Sequence, residues 1–146
     1  MKRIYIAGPL TQEGRLTESE RVKNVNRAIT IAHLLADLGF APFVPHLSHY
    51  WDVQYPREYS SWMEIDFAFL AVCDGLYRMN GHSPGADREV AFAGEHGIPV
   101  FHYLKDLTIH FAKVDQTSGR IERRDVGGPP KGPHVFPQGT SGKKKE

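Results

Sequence analysis

The sequence has one cysteine, almost no net charge and no long apolar run, and each of these features excludes a class of protein. The single cysteine, Cys73, excludes a disulfide framework and favours a reducing compartment, so we expect a cytoplasmic protein. A formal net charge of +1 gives no field that would recruit polymeric nucleic acid or a membrane surface. The apolar runs are too short to span a bilayer, and MKRIYIAGPL resembles a strand more than a secretory signal.

Sequence motifs for common cofactors and nucleophiles are missing as well. The chain has no GxGxxG, GxxxxGK[ST], GxSxG or HExxH pattern, which excludes the usual dinucleotide, P-loop, hydrolase-elbow and zinc-protease signatures. His46, His49 and His82 leave open a weaker interpretation as a metal-dependent hydrolase, but no cysteine pair accompanies them. We therefore expect no metal and no organic cofactor.

What is present is a regular alternation of short apolar runs and amphipathic segments. Four strands are predicted, at Lys2–Ala7, Ala41–Val44, Gly75–Met79 and Ile98–His102. Three helices are predicted between them: one from the capping box Thr17–Glu20 to Gly39, one from a second capping box Ser61–Glu64 to Cys73, and one from about Ala86 to His96. A long loop is predicted from Pro45. This order predicts a single-domain α/β fold, Rossmann- or flavodoxin-like, with an open, mostly parallel sheet of about four or five strands and helices on both faces.

The alternation stops near Lys105, so we assign residues 1–105 to the α/β domain. In residues 106–124, Leu107–Val114 and Gly119–Glu122 are predicted to pair as a hairpin extension. Residues 125–146 are rich in glycine, proline and lysine, which predicts a disordered, solubilising tail.

Ligands of open parallel sheets bind beyond the carboxyl ends of the strands, and three loops are expected there. They begin at Gly8-Pro9, at Pro45 and at Asn80. The last of them, through Ser83 and Gly85, leads into a helix whose free N–H groups would attract an anion. The alternative is an ordinary helix cap.

Two carboxylates and one phenol are the candidate catalytic groups. Glu89 is predicted in the first turn of its helix, where the dipole would keep its pKa low and the side chain ionised, although acidic residues also favour helix starts. Asp66 interrupts an apolar run, so its pKa should be raised, unless it simply caps a neighbouring loop. Tyr5 ends near the same edge and would either orient a carboxylate or fill the sheet face. An ionised carboxylate beside a protonated one suits cleavage of a glycosidic bond.

The segments IYIAGPL, CDGLYRM and SPGADREVAFA, with the Asp embedded in a helix between the first two, resemble the nucleoside 2-deoxyribosyltransferase-like superfamily over roughly residues 1–103. That superfamily includes deoxyribosyltransferases, nucleoside 5′-phosphate N-glycosidases and short uncharacterised phage and bacterial members. The resemblance implies that Glu89 is the nucleophile, that Tyr5 holds Glu89, and that Asp66 assists protonation of the leaving base. It also implies that Gly8 and Pro9 shape the pocket under the base, and that Ser83 and Gly85 hold the 5′ end of the sugar.

The expected function is therefore cleavage of an N-glycosidic bond in a (deoxy)nucleoside or nucleoside 5′-monophosphate. The reaction would pass through a covalent glycosyl-Glu89 intermediate, with hydrolysis or base exchange as its second step. Under this resemblance, Ser83 favours a 5′-monophosphate. The cationic partner of the phosphate would be Arg15, Arg21 or Arg88. The alternative is a non-catalytic nucleotide-binding sensor or regulatory module. We also expect a homodimer, because several aromatic residues crowd one region and either cover the pocket or pack on a partner: Trp51, Tyr55, Tyr59 and Trp62.

Overall fold

The computed structural model describes residues 1–12 and 14–118 of the chain. Within them, one sheet of four parallel strands forms the centre of the fold, in the spatial order β2-β1-β3-β4. The strands are β1 (Arg3–Ala7), β2 (Ala41–Phe43), β3 (Gly75–Arg78) and β4 (Val100–Phe101). The predicted strands are therefore confirmed, and each is slightly shorter than the apolar run that predicted it.

The helices that the structure describes pack on both faces of this sheet, as predicted. They are α1 (Glu18–Asp37), α2 (Ser48–Gln54), α3 (Tyr59–Leu70), α4 (Pro84–Glu95) and α5 (Leu104–Ser118), with a short 3-10 turn at Pro45–Leu47. Alternation along β1 divides the core, because successive side chains of a strand point to opposite faces. Ile4 and Ile6 pack in a cluster with residues of α1 and α5, whereas Tyr5 and Ala7 pack with residues of α3 and α4. The chain thus has a single-domain α/β fold.

The order of the strands locates the crevice of the sheet. The chain passes from β1 to β2 on one side and then returns to β3 on the other, so the direction of winding reverses between β1 and β3. In open α/β sheets ligands bind at this switch point, beyond the carboxyl ends of the two strands. Tyr5 stands near the end of β1, and β3 leads into the loop that begins α4.

The two predicted capping boxes have different outcomes. The first is confirmed, since the Thr17 hydroxyl accepts a hydrogen bond from the N–H of Glu20, and the Glu20 carboxylate accepts one from the N–H of Thr17. The second, at Ser61–Glu64, is wrong. The N-cap of α3 is Glu58, three residues before Ser61, and it makes no side-chain capping bond.

The long loop predicted from Pro45 is also wrong, because this segment forms the 3-10 turn and then α2. Proline is compatible with a first helical turn, where its missing N–H is not needed. The seven-residue α2 is too short to be stable alone. A long-range contact supports it: the Nε2 of His49 lies 2.8 Å from a carboxylate oxygen of Glu18 at the start of α1.

The predicted hairpin is wrong in the part that the structure describes. Helix α5 covers Leu107–Val114 and the predicted turn, and it packs on the sheet through Leu107 and Phe111. The α/β domain therefore continues past the predicted boundary at residue 105. The second hairpin strand, residues 119–122, and the predicted tail, residues 125–146, lie outside the described residues. Among the helices of residues 1–12 and 14–118, none combines the length and apolar character that crossing a membrane requires.

Candidate active site

A cleft opens at the switch point of the sheet. Its wall combines the loop after β1, the turn after β2, one face of α3 and the start of α4. Six of its residues carry the argument that follows: Gly8, His46, Asp66, Ser83, Gly85 and Glu89. The predicted meeting of three loops at one edge of the sheet is therefore present.

The buried side chain of Tyr5 contacts Glu89, a residue of the cleft wall. The Tyr5 hydroxyl donates a hydrogen bond to Oε1 of Glu89 at 2.7 Å, and both side chains are buried. Burial, followed by the charge of Glu89, raises the pKa of Tyr5 well above its usual value of 10.0. The phenol therefore keeps its proton and acts as a fixed donor to the carboxylate.

The predicted low pKa of Glu89 is wrong. Helix α4 begins at Pro84, so Glu89 is its sixth residue and lies in the second turn, where the helix dipole has little effect. Glu89 is only 6% exposed, and this burial raises its pKa to about 8. The hydrogen bond from Tyr5 acts in the opposite direction, because donation to the carboxylate favours its charged form.

The prediction of a raised pKa for Asp66 is confirmed. Burial raises its pKa from 3.8 to about 7, and the side chain lines the cleft. Asp66 is the last of four residues that line the cleft from one face of α3, at spacing i, i+3, i+4 and i+7: Tyr59, Trp62, Met63 and Asp66. Of the aromatic residues expected to form a cover, Tyr59 and Trp62 thus belong to this wall, whereas Trp51 and Tyr55 are exposed on α2 and beyond it.

The Asp66 carboxyl acts on the titration of Glu89. The charge of Asp66 raises the pKa of Glu89, after the larger effect of burial. Two interacting carboxyl groups lose their protons in two steps that belong to the pair. With pKa values of about 7 and about 8, the pair holds between one and two protons at neutral pH. It holds about one proton between pH 7 and pH 8.

Gly8 and Pro9 both lie at the end of β1, but only Gly8 reaches the cleft. A Cβ on Gly8 would lie 2.7 Å from the sulfur of Met79, so a side chain there would force the ends of β1 and β3 apart. Pro9 is buried instead, and its ring would lie 2.8 Å from a Cβ on Gly81. Pro9 therefore packs under the loop after β3.

Ser83 and Gly85 begin α4 and line the cleft, as predicted. The Ser83 hydroxyl accepts a hydrogen bond from the N–H of Ala86 at 3.2 Å and donates to the Gly8 carbonyl at 3.4 Å. Ser83 is thus the N-cap of α4 as well as a wall residue. A Cβ on Gly85 would lie 2.7 Å from the Tyr59 hydroxyl, so glycine is needed for this close approach.

Of the three predicted cationic partners for a phosphate, Arg21 is the one that lines the cleft. The Arg88 guanidinium lies over the Tyr59 ring, 5.8 Å from its centre, and Arg15 is exposed. Among these three arginines, Arg21 is therefore the candidate for contact with an anionic ligand.

Residues 2–103 match the family described as "Domain of unknown function (DUF7768)". The chain belongs to this family. The match runs from β1 to just beyond β4 and includes Tyr5, Asp66 and Glu89. No curated protein matches the chain.

His46, His49 and His82 of this DUF7768 protein do not form the metal site of the weaker interpretation. His49 contacts Glu18, His82 is exposed, and residues 1–12 and 14–118 contain no group of three or more His, Cys, Asp or Glu side chains suited to a metal. His46 is instead a buried wall residue of the cleft. Neither of its ring nitrogens makes a hydrogen bond of good geometry within the described residues, although the backbones of Gly8 and Pro9 lie near the ring. Burial lowers its pKa to about 4, so the ring is neutral at physiological pH.

Sequence reasoning missed two residues of this DUF7768 site. The sequence pattern indicates His46 only as a metal ligand, since nothing in it shows that the ring is buried in the wall of a cleft. The same pattern predicts Arg78 as an ordinary strand residue, although it is 8% exposed at the end of β3. A cation directly after the apolar pair Leu76-Tyr77 was the available signal, because arginine is rarely buried without a charged partner.

Proposed function

We propose that this protein cleaves the N-glycosidic bond of a (deoxy)nucleoside or a nucleoside 5′-monophosphate. The observation that carries the proposal is the buried 2.7 Å contact between Tyr5 and Glu89, beside Asp66, at the switch point of a parallel sheet. The resemblance to the nucleoside 2-deoxyribosyltransferase-like superfamily supports the same reaction. Its motifs fall on residues of β1, α3 and α4 that meet at the cleft.

The first chemical step is attack of a Glu89 carboxylate oxygen on the anomeric carbon of the sugar. The bond from that carbon to the base nitrogen breaks, and its electron pair leaves with the base. Asp66 supplies the proton that the departing base takes up. The products of this step are a free base and a sugar esterified to Glu89.

The second step releases the sugar. In hydrolysis, a water molecule attacks the anomeric carbon, Asp66 accepts the proton of that water, and Glu89 leaves as a carboxylate. In base exchange, a nitrogen of a second base attacks instead and passes its proton to Asp66. Both routes return Asp66 and Glu89 to their starting protonation states, so no external acid is consumed.

This division of labour requires the proton of the pair to lie on Asp66, with Glu89 as the anion that the Tyr5 hydroxyl stabilises. In the free protein this reactive arrangement is the minor one, because the pKa of Glu89, about 8, lies above that of Asp66, about 7. Since each group has a raised pKa, activity is expected to be highest between the two steps, near pH 7 to 8.

The second candidate function is a nucleotide-binding module without turnover. One observation favours it: burial raises the pKa of Glu89 to about 8, so at pH 7 much of the protein carries a neutral Glu89, which binds but does not attack. His46, whose buried ring lies in the wall of the cleft and makes no hydrogen bond of good geometry in the described residues, would serve such a module equally well. Binding that stabilises the fold with no release of base would favour this function.

The test is release of free base from a panel of ribo- and deoxynucleosides and their 5′-monophosphates, each with and without a second base. Glu89→Gln is the matched catalytic control, because it keeps the shape and the acceptor oxygen for Tyr5. Chromatography should detect a free base that Glu89→Gln does not release, and denaturing mass spectrometry should detect a sugar adduct on Glu89. Equal release by Glu89→Gln would contradict the mechanism.

A further inference from the structure

A buried cation stands at the carboxyl end of β3. Arg78 is the last residue of this strand, is 8% exposed, and lies between the core residues Leu76 and Met79 along the chain. Arginine is almost never buried to this extent unless it is paired. Its position is one residue from the loop that leads to α4, which carries Glu89.

The Arg78 guanidinium joins that loop to α4. It donates to the backbone carbonyl of Met79, to that of Gly81 at 3.0 Å, and to Oδ1 of Asp87 at 3.0 Å. Gly81 has a φ of +123°, a backbone conformation that residues with a side chain rarely adopt. Arg27 and Gln12 donate to two further carbonyls of this loop, those of Asn80 and His82, each at 3.0 Å. Arg78 differs from both in that it also bonds α4, through Asp87.

We propose that Arg78 is a positioning residue for Glu89. Its guanidinium fixes the loop from which α4 begins, and its positive charge offsets the negative charge that Glu89 carries as a nucleophile. This inference rests on the proposed function and adds to it a residue from outside the wall of the cleft.

The groups that act on Glu89 come from three elements packed against α4. From β1, the Tyr5 hydroxyl donates a hydrogen bond; from α3, the Asp66 carboxyl adds like charge; from β3, Arg78 adds opposite charge. Burial and Asp66 raise the pKa of Glu89, whereas Tyr5 and Arg78 lower it. On α4 itself, Asp87 pairs with Arg78.

Arg88, the other charged neighbour on α4, lies over the ring of Tyr59. Arg21 lines the same cleft, but within residues 1–12 and 14–118 the cation whose charge lowers the pKa of Glu89 is Arg78.

Two substitutions break the same ion pair but change the local charge in opposite directions. Arg78→Met removes the cation, whereas Asp87→Asn keeps it and removes the anion that competes for it. The Asp87 side chain is 64% exposed, so this change should be tolerated. The pKa of Glu89 should rise in Arg78→Met. It should stay constant or fall in Asp87→Asn.

The direct measurement is an NMR titration of the Glu89 side-chain carboxyl in the full chain labelled with ¹³C, assigned by its absence in Glu89→Gln. The kinetic counterpart is the pH dependence of base release. In Arg78→Met, kcat at pH 7 should fall with the ionised fraction of Glu89, by about tenfold for each pH unit that the titration shows the pKa to have risen, while KM changes little. Arg78→Lys, which keeps the charge, should recover most of kcat.

An unchanged Glu89 pKa in Arg78→Met would overturn the inference, and so would equal rises in Arg78→Met and Asp87→Asn, because a purely structural role affects both alike. If Arg78→Met does not fold, Asp87→Asn still decides, since a raised Glu89 pKa in that variant contradicts the role of the cation. The titration needs no substrate. A shifted pKa with no base released by any variant would therefore contradict the proposed function alone.

Discussion

The phenol oxygen of Tyr5 lies 2.7 Å from Oε1 of Glu89, although 84 residues separate the two along the chain. Tyr5 reaches this position because alternation along β1 turns it toward α4, away from Ile4 and Ile6. Since the hydroxyl keeps its proton, its hydrogen bond both orients the carboxylate and favours its charged form. One strand residue thus controls the geometry and the charge of the proposed nucleophile.

Replacing Tyr5 with Phe should therefore reduce activity more than stability. The variant keeps the ring in the core and loses the donor, so the pKa of Glu89 should rise and kcat at pH 7 should fall on the order of 100-fold. The loss of one buried hydrogen bond should lower the free energy of unfolding by about 1 kcal/mol. Steady-state kinetics and urea unfolding measure the two effects. A normal kcat in a folded Tyr5→Phe protein would contradict the role of the hydroxyl.

Glu89→Gln should stabilise the protein at high pH and not at low pH. Folding raises the pKa of Glu89 from 4.5 to about 8, so the folded state binds this proton more tightly than the unfolded state. The stability of the natural protein should therefore fall as pH rises from 4.5 through 8. Glutamine does not titrate, so the variant should be more stable by about 2 kcal/mol or more at pH 9. At pH 4.5 the difference should be small.

Urea unfolding at pH 5 and pH 9 measures this difference, and Glu95→Gln is the matched control. Glu95 is the last residue of the same helix and is exposed, so its substitution should change stability little at either pH. If Glu89→Gln gave the same change in stability at both values of pH, the buried, proton-binding character of Glu89 would be wrong.

The sequence predicted which residues meet at the site better than it predicted their electrostatics. Tyr5 and Glu89 follow from the rule that parallel strands place their carboxyl ends at one edge, and Asp66 follows from its apolar neighbours. The depth of Glu89 does not follow. It depends on where α4 begins and on how α3 covers it, and the start at Pro84, two residues before the predicted one, moved Glu89 into the second turn.

The C-terminal element illustrates a different limit. Leu107, Ile109 and Phe111 alternate with polar residues as a strand would, but Leu104, Leu107 and Phe111 also fit the helical period. A strand would bury Ile109 together with Leu107 and Phe111, whereas a helix would turn Ile109 away from them. In the structure Leu107 and Phe111 are buried and Ile109 is 42% exposed, so the helical period is the one that contacts the core. Only the tertiary contacts of α5 decide between them.

His46→Leu should stabilise the unliganded protein and weaken its binding of ligand. Both ring nitrogens of His46 are buried, and neither makes a hydrogen bond of good geometry in the described residues, although the backbones of Gly8 and Pro9 lie near the ring. A buried polar group left unsatisfied costs about 1 to 3 kcal/mol. Removing the two nitrogens should raise the melting temperature, whereas a nucleoside or nucleotide that would have bonded to them should bind about tenfold more weakly. His49→Leu is the matched control, because it breaks the 2.8 Å contact with Glu18 and should destabilise the fold. Thermal unfolding with and without nucleoside 5′-monophosphates measures both; a destabilised His46→Leu protein with normal binding would contradict the assignment.

Gly85→Ala should narrow the cleft at the start of α4, and Tyr59→Phe should relieve the effect. The new Cβ would lie 2.7 Å from the Tyr59 hydroxyl but 3.9 Å from the ring carbon that bears it, so removing the oxygen removes the clash. We expect Gly85→Ala to lower kcat/KM for a 5′-monophosphate about tenfold, and the double variant to recover most of that loss, a coupling of about 1 kcal/mol. Gly94→Ala, on the same helix with no atom within 4 Å of its Cβ, controls for the gain in helix propensity. If the two substitutions were additive, the Tyr59 hydroxyl would not set the width of the cleft where the 5′ end of the sugar is proposed to bind.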